Sequence, residues 1–202
     1  MSKANVFIVS GPSGSGKDTI LQAVFKKRPE LFFSISSITR SMRPGEKEGE
    51  KYHFISKQAF EAGLDKGDFL EHNCYLGNYY GTPKAPVLAA VAQGRDAVIE
   101  VDVNGAAQIR QKLPECISIF VIPPSFAVLN QRLRGRQTES EQQIAERLNA
   151  ALKEIERAKE YDYIVVNDAL DKAVDDFITV IESSRLQYKN QENIINEVLK
   201  KC

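Results

Sequence analysis

Short, almost wholly apolar runs recur along the chain at 5–10, 97–102, 117–122 and 163–167, separated by stretches of helical character. Apolar runs of this length without inside–outside alternation belong to strands covered on both faces, so the pattern predicts an α/β fold with a parallel sheet between layers of helices. A helix is expected at 17–27, which Pro29 helps to end. Thr82-Pro83 reads as a hydroxyl N-cap before a proline at the first helical position. Ser140 and Gln143 form a capping box for a long helix through Lys159. A final helix is expected from Asp171 to about Tyr188, with Val174, Phe177, Ile178 and Ile181 at its apolar positions.

Two segments break this rhythm. Residues 34–82 hold short strand-like pieces at 52–55 and 69–76, many glycines and few helix signals, and read as a small β-rich insertion. Residues 125–149 are arginine-rich and helical with an interruption at Gly135, and read as a lid. The core of a single domain is then built from 1–33, 83–124 and 150–202, and the polar tail 187–202 is a surface helix or a dimer contact. Monomer and homodimer both remain open.

Composition narrows the setting. The 202 residues carry 27 Lys plus Arg against 27 Asp plus Glu, so no global charge favours nucleic acid or a membrane surface. No apolar run approaches the roughly 20 residues of a membrane helix, and no segment is built like a signal peptide. The cysteines, Cys74, Cys116 and Cys202, show no CxxC spacing, which argues against a zinc site or disulfide framework and for the cytosol. His53 and His72 lack metal-ligand spacing. The arginines, by contrast, fall in short stretches that suggest local anion sites: Arg40 and Arg43, then Arg132, Arg134, Arg136 and Arg147.

The first strand runs into Gly11-Pro12-Ser13-Gly14-Ser15-Gly16-Lys17, and a helix follows. This is the G-x-x-x-x-G-K phosphate loop in its proper context. Its glycines let successive backbone N–H groups turn inward around phosphates, the helix N-terminus adds partial positive charge, and Lys17 reaches the β- and γ-phosphates. One position departs from the motif. Asp18 stands where Ser or Thr normally contacts magnesium, with Thr19 one residue further on. Mg²⁺ carried on the ATP phosphates is expected, and Asp18 is a candidate protein ligand.

The acceptor is indicated by Ser36-Ser-Ile-Thr-Arg40-Ser-Met-Arg43-Pro-Gly-Glu46, by Gly49-Glu-Lys-Tyr52-His-Phe, by Glu71, and by Gly77-Asn-Tyr-Tyr80-Gly81-Thr82. Together with Glu100-Val-Asp102-x-x-Gly105, Arg132-x-x-Gly135-Arg136, Arg147-Leu and Asn167-Asp168, these blocks closely resemble the guanylate kinase family over most of the chain. Gln137 departs from the glycine usual in that family.

The resemblance implies a P-loop kinase in purine nucleotide metabolism, with ATP and GMP (and dGMP) as small-molecule substrates and direct in-line transfer to give GDP. By the same resemblance, Arg40, Arg43, Tyr52 and Tyr80 bind the GMP phosphate. Ser36, Glu71, Thr82 and Asp102 read the guanine, with Glu100 nearby; Gly81 belongs to the GMP site, and Glu46 either contacts the ligand or pairs with an arginine. Arg132, Arg136 and Arg147 close over the phosphates, Asn167 contacts the ATP base, and Lys17, Arg43, Arg136 and Arg147 carry the catalytic charge. Chemistry supports the base assignment: guanine offers two adjacent donors to one carboxylate, whereas adenine N1 would face it lone pair to lone pair. Two rivals are a binding module that uses the same cleft without catalysis and a kinase acting on a sugar phosphate.

Overall fold

The protein is described by a computed structural model covering residues 3–135 and 140–200. Five parallel strands form the central sheet: β1 (Val6–Ser10), β2 (Phe32–Phe33), β7 (Ala97–Glu100), β8 (Ile117–Ile122) and β9 (Tyr163–Val166), in the order β2-β7-β1-β8-β9. Alternate residues of the apolar runs face opposite helical layers. Phe7 and Val9 pack with Ile20 and Val24 of α1 (Lys17–Lys27) and with Phe177 and Ile181 of α7 (Leu170–Ser184). Ile8 and Ile99 face the other way, towards Val87 of α3 (Lys84–Ala92) and Ile109 of α4 (Val103–Lys112). Each such side chain contributes about 1.5–3 kcal/mol when fully buried, which is why both faces of these strands must be apolar.

A second sheet, β4-β3-β6-β5, stands apart from the first in the chain. It comprises β3 (Ser36–Ile38), β4 (Tyr52–Phe54), β5 (Phe69–Tyr75) and β6 (Asn78–Pro83). It also carries a helix the sequence reading missed, α2 (Lys57–Lys66), capped by the Ser56 hydroxyl and closed by Gly67. Its buried Phe60 stacks between Phe69 and Tyr79, which fastens α2 to the hairpin.

Other expectations shift in detail. Helix α3 starts at Lys84 with Pro83 as its cap residue, and Thr82 lies in β6 with its hydroxyl turned to Glu71 instead of the helix. Asp102 is the N-cap of α4, just past β7. The Ser140–Gln143 capping box forms, but α6 (Glu141–Glu156) yields to a 3-10 turn at Arg157–Glu160. The helix expected from Asp171 ends a turn early as α7 at Ser184, and the polar tail holds α8 (Tyr188–Leu199). Helix α8 is tied down by buried Asn190, whose amide donates to the Asn5 side chain and the Ser184 carbonyl. Helix α5 (Phe126–Arg134) ends at Gly135 and packs Leu129 and Leu133 against Ala151 of α6. Among the described residues, no helix is long and apolar enough to cross a membrane.

Candidate functional site

The carboxyl ends of the parallel strands supply one edge of the site: the loop after β1, Glu100 at the end of β7 with Asp102 beyond it, and Asn167 after β9. Open parallel sheets gather ligands at this edge.

The loop Gly11–Gly16 is held from outside. The Asn167 amide donates to the Ser15 carbonyl at 2.7 Å. Arg132 donates to the same carbonyl at 3.3 Å and to the Asn167 carbonyl at 2.9 Å. These bonds fix the loop, within which the Ser15 N–H also donates to the Pro12 carbonyl at 3.0 Å. Gly16 has φ +81°, and a Cβ there would lie 2.2 Å from Asn167 Nδ2, so glycine is required on both counts. Gly16 puts no side-chain acceptor over the first turn of α1, whereas α4, α5 and α6 are each capped by a side chain. Ser15 Oγ is buried without a hydrogen-bond partner among the described residues, a donor that an oxyanion in the loop would satisfy. Loop and Arg132 together line a cavity of about 370 Å³.

A second cavity, of about 420 Å³, lies between the two sheets. Lys17 and Gly11 line both, so the loop lysine stands where the two spaces meet. In this structure Lys17 Nζ bonds Glu100 and lies 3.4 Å from Asp18 Oδ1.

The far wall of the second cavity comes from β5 and β6. A β-bulge between Phe69 and Glu71 sets Glu71 opposite Thr82, and Thr82 Oγ1 donates to Glu71 Oε1 at 2.7 Å. Burial is the main cause that pushes the Glu71 carboxyl up to about 7; the Thr82 bond opposes it and the Asp102 charge adds to it. Asp102 is split between two tasks. Its Oδ1 caps α4 through the N–H groups of Asn104 and Gly105, and its Oδ2 accepts from Asn73 at 3.2 Å. Ser36, Tyr52, Tyr80 and Gly81 complete this wall.

Arg40 lies at its rim, gripped by Glu46 at 2.7 and 2.6 Å, with Tyr52 and Phe54 beneath the guanidinium. Glu46 also accepts from the Arg43 amide at 2.8 Å. The Arg40 hydrogen bond, helped by that amide, holds the Glu46 carboxyl down to about 2. Glu46 therefore orders the two arginines instead of facing the cavity. Arg43 is exposed. Arg147 reaches the loop from α6 and bonds Ser13 Oγ. Arg136 and Gln137 lie outside the described residues, and Thr19 is exposed on the first turn of α1.

A family model described as guanylate kinase matches residues 3–184. The chain belongs to the guanylate kinase family. It is 44% identical over 189 residues to the guanylate kinase of Carboxydothermus hydrogenoformans, covering 94% of this chain and 93% of that protein. It is 44% identical to the Neisseria gonorrhoeae guanylate kinase over 197 residues, covering 98% of this chain and 96% of the relative. Among solved structures it resembles the guanylate kinase of Anaplasma phagocytophilum, with a TM-score of 0.76 and 26% identity, over 94% of this chain and 90% of that one.

Sequence reasoning missed several residues of this family site. Asn73 and Tyr75 line the cavity with Glu71, and their spacing of two along β5 was a legible signal for a shared face. Gly105 appears in the motif without a stated role. A Cβ there would lie 2.9 Å from Glu71 Oε2, so its missing side chain makes room for that carboxylate. Asn167, assigned by resemblance to the nucleotide base, spends its amide on Ser15. Lys51, whose Nζ donates to Asp18 Oδ2 at 2.8 Å, drew no attention in the sequence.

Proposed function

We propose that this chain transfers the γ-phosphoryl group of ATP to GMP, giving ADP and GDP, and accepts dGMP as well. The observation that carries the reading is Lys17: it lines both the loop cavity and the cavity walled by Glu71 and Tyr80. A donor phosphate chain in the first and an acceptor phosphate in the second would meet at one ammonium.

In this reading a phosphate oxygen of GMP attacks the γ-phosphorus as the bond to the ADP oxygen breaks. That oxygen is already ionised, so no general base is required. Catalysis is positioning plus neutralisation of charge on the transferred group. The Gly11–Gly16 backbone and Lys17 hold the β- and γ-phosphates. Arg147, with Arg132 and Arg136, screens charge as it spreads over the group in flight. Arg40, Arg43, Tyr52 and Tyr80 hold the acceptor phosphate. Glu71 accepts from guanine N1–H and the 2-amino group, with Ser36, Thr82 and Asp102 around the base. Closure of the β-rich lobe and of the arginine-bearing lid excludes water as a competing acceptor.

Mg²⁺ fits this donor set as a passenger on the phosphates. Among the described residues no group of three His, Cys, Asp or Glu could hold a metal by itself, and Asp18 beside the loop has both oxygens turned to lysines, which leaves the ion to the phosphates. Bound there, the ion would neutralise phosphate charge. The three unpatterned cysteines favour the cytosol as the setting.

The decisive experiment follows ADP formation with ATP and magnesium while GMP, AMP, UMP and CMP are offered in turn. Turnover with GMP alone is the expected result. GMP binding without turnover would favour a non-catalytic binding module.

A further inference from the structure

Asp18 and Lys51 come from different parts of the molecule. Asp18 is the second residue of α1, and Lys51 immediately precedes β4 in the smaller sheet. Lys51 Nζ donates to Asp18 Oδ2 at 2.8 Å. Lys17 Nζ approaches the other oxygen, Oδ1, at 3.4 Å and bonds Glu100 beyond it. Four charges therefore alternate in sign from the smaller sheet to the phosphate loop: Lys51, Asp18, Lys17, Glu100. Alongside them lies a cleft of about 540 Å³, lined by Leu21 and Phe25 on one side and Glu50 and Lys51 on the other. The Lys51–Asp18 bond thus crosses a gap between the lobes.

Fold stability does not account for this pair. Its side chains are 52% and 55% exposed, and ion pairs in that environment contribute little. The charge balance of the loop does account for it. Burial alone would raise the Asp18 carboxyl, but the Lys51 hydrogen bond and the charges of Lys17 and Lys51 prevail and hold it well below the usual carboxylate range. At neutral pH it is an anion beside the place where a nucleotide's phosphates would lie. Like charges at such separations repel strongly unless a cation intervenes.

We propose that Lys51 is a positioning residue of the donor site: it neutralises Asp18 and holds that carboxylate aside, so that the ATP phosphates enter the loop without repulsion from it. The inference rests on reading the loop as an ATP site. It makes donor binding depend on the acceptor-side lobe, because the compensating cation is delivered by that lobe. It also explains how the chain carries an acidic residue where the phosphate-loop motif has a hydroxyl.

The test is a double-mutant cycle read by equilibrium binding of ATP with excess Mg²⁺ to the intact chain. The wild type, Lys51→Ala, Asp18→Ser and the double variant are compared, with thermal melts as the check on folding. Lys51→Gln replaces Lys51→Ala if the latter folds poorly. Removing Lys51 is expected to weaken ATP about tenfold in the wild-type background and less than twofold in the Asp18→Ser background. The difference is expected to shrink as salt is raised. Equal losses in both backgrounds would mean that Lys51 acts on the nucleotide directly, and no loss in either would make the pair a solvated surface contact. Both results overturn the proposal while leaving the kinase reading intact. A wild-type chain that bound no ATP would overturn both.

Discussion

The Thr82 hydroxyl donates to Glu71 Oε1 at 2.7 Å, between two side chains withdrawn from solvent. The bond fixes one carboxylate oxygen and leaves the group's remaining acceptor capacity to a ligand in the cavity. Thr82→Val keeps the shape and removes the donor. The expected result is a rise in the GMP KM of about fivefold to tenfold with kcat little changed, from the loss of one hydrogen bond to a charged group. Steady-state kinetics at saturating ATP provides the check, and an unchanged KM would count against a positioning role for Thr82.

The pH dependence of GMP binding follows from Glu71, whose carboxyl is pushed up to about 7, by burial first. Below that value it carries a proton where guanine would present its own, and above it the carboxylate accepts both donors. GMP affinity is therefore expected to rise up to about tenfold per pH unit on approaching 7 from below, and to level off by about pH 8. Titrations from pH 5.5 to 8.5 should show this slope in the wild type and lose it in Glu71→Gln; ionisation of the GMP phosphate is common to both. The same shift bears on folding with the opposite sense. A carboxyl raised from 4.5 favours the folded chain at low pH, and that contribution disappears as pH rises through about 7.

Gly105→Ala tests whether the space beside Glu71 is functional. The new methyl would sit 2.9 Å from Glu71 Oε2 and 3.2 Å from Val101 Cβ. Because the nearer neighbour is the end of a side chain, the fold can absorb the change by turning Glu71 away. The expected outcome is a melting temperature within a few degrees of wild type, with GMP affinity reduced by about an order of magnitude or more and ATP affinity little affected. Calorimetric titration with each nucleotide separates these effects.

Asn167→Ala removes the buried donor that holds the Ser15 carbonyl. The carbonyl keeps only its longer bond from Arg132, and losing one hydrogen bond costs about 0.5–1.5 kcal/mol, so thermal unfolding should shift downward by a few degrees. The loop would lose its outer support, and ATP binding should weaken more than GMP binding. If ATP alone weakened and the melting temperature stayed fixed, Asn167 would belong to the base instead.

Much of this was legible in one dimension. The apolar runs announced the parallel sheet because a strand covered on both faces tolerates few polar residues, and Lys17–Lys27 was placed to the residue by the glycine loop before it and Pro29 after it. Ser140 and Gln143 formed their capping box as expected, since both partners lie within one turn. Helix α2 escaped notice although Ser56 and Gly67 punctuate it, because the surrounding glycines and short strands outweighed a single amphipathic stretch.

What the sequence alone determined were the local features: strand and helix identity and the phosphate loop. These depend on neighbours within a few positions, where periodicity, capping and backbone freedom act directly. Tertiary structure decided which side chains meet. Thr82 looked like a helix cap until the bulge in β5 set Glu71 opposite it. Asp18 looked like a bare departure from the motif until folding brought Lys51 within 2.8 Å. Such pairings turn on the register of strands and the placement of one lobe against another, and these are set by packing over the whole core.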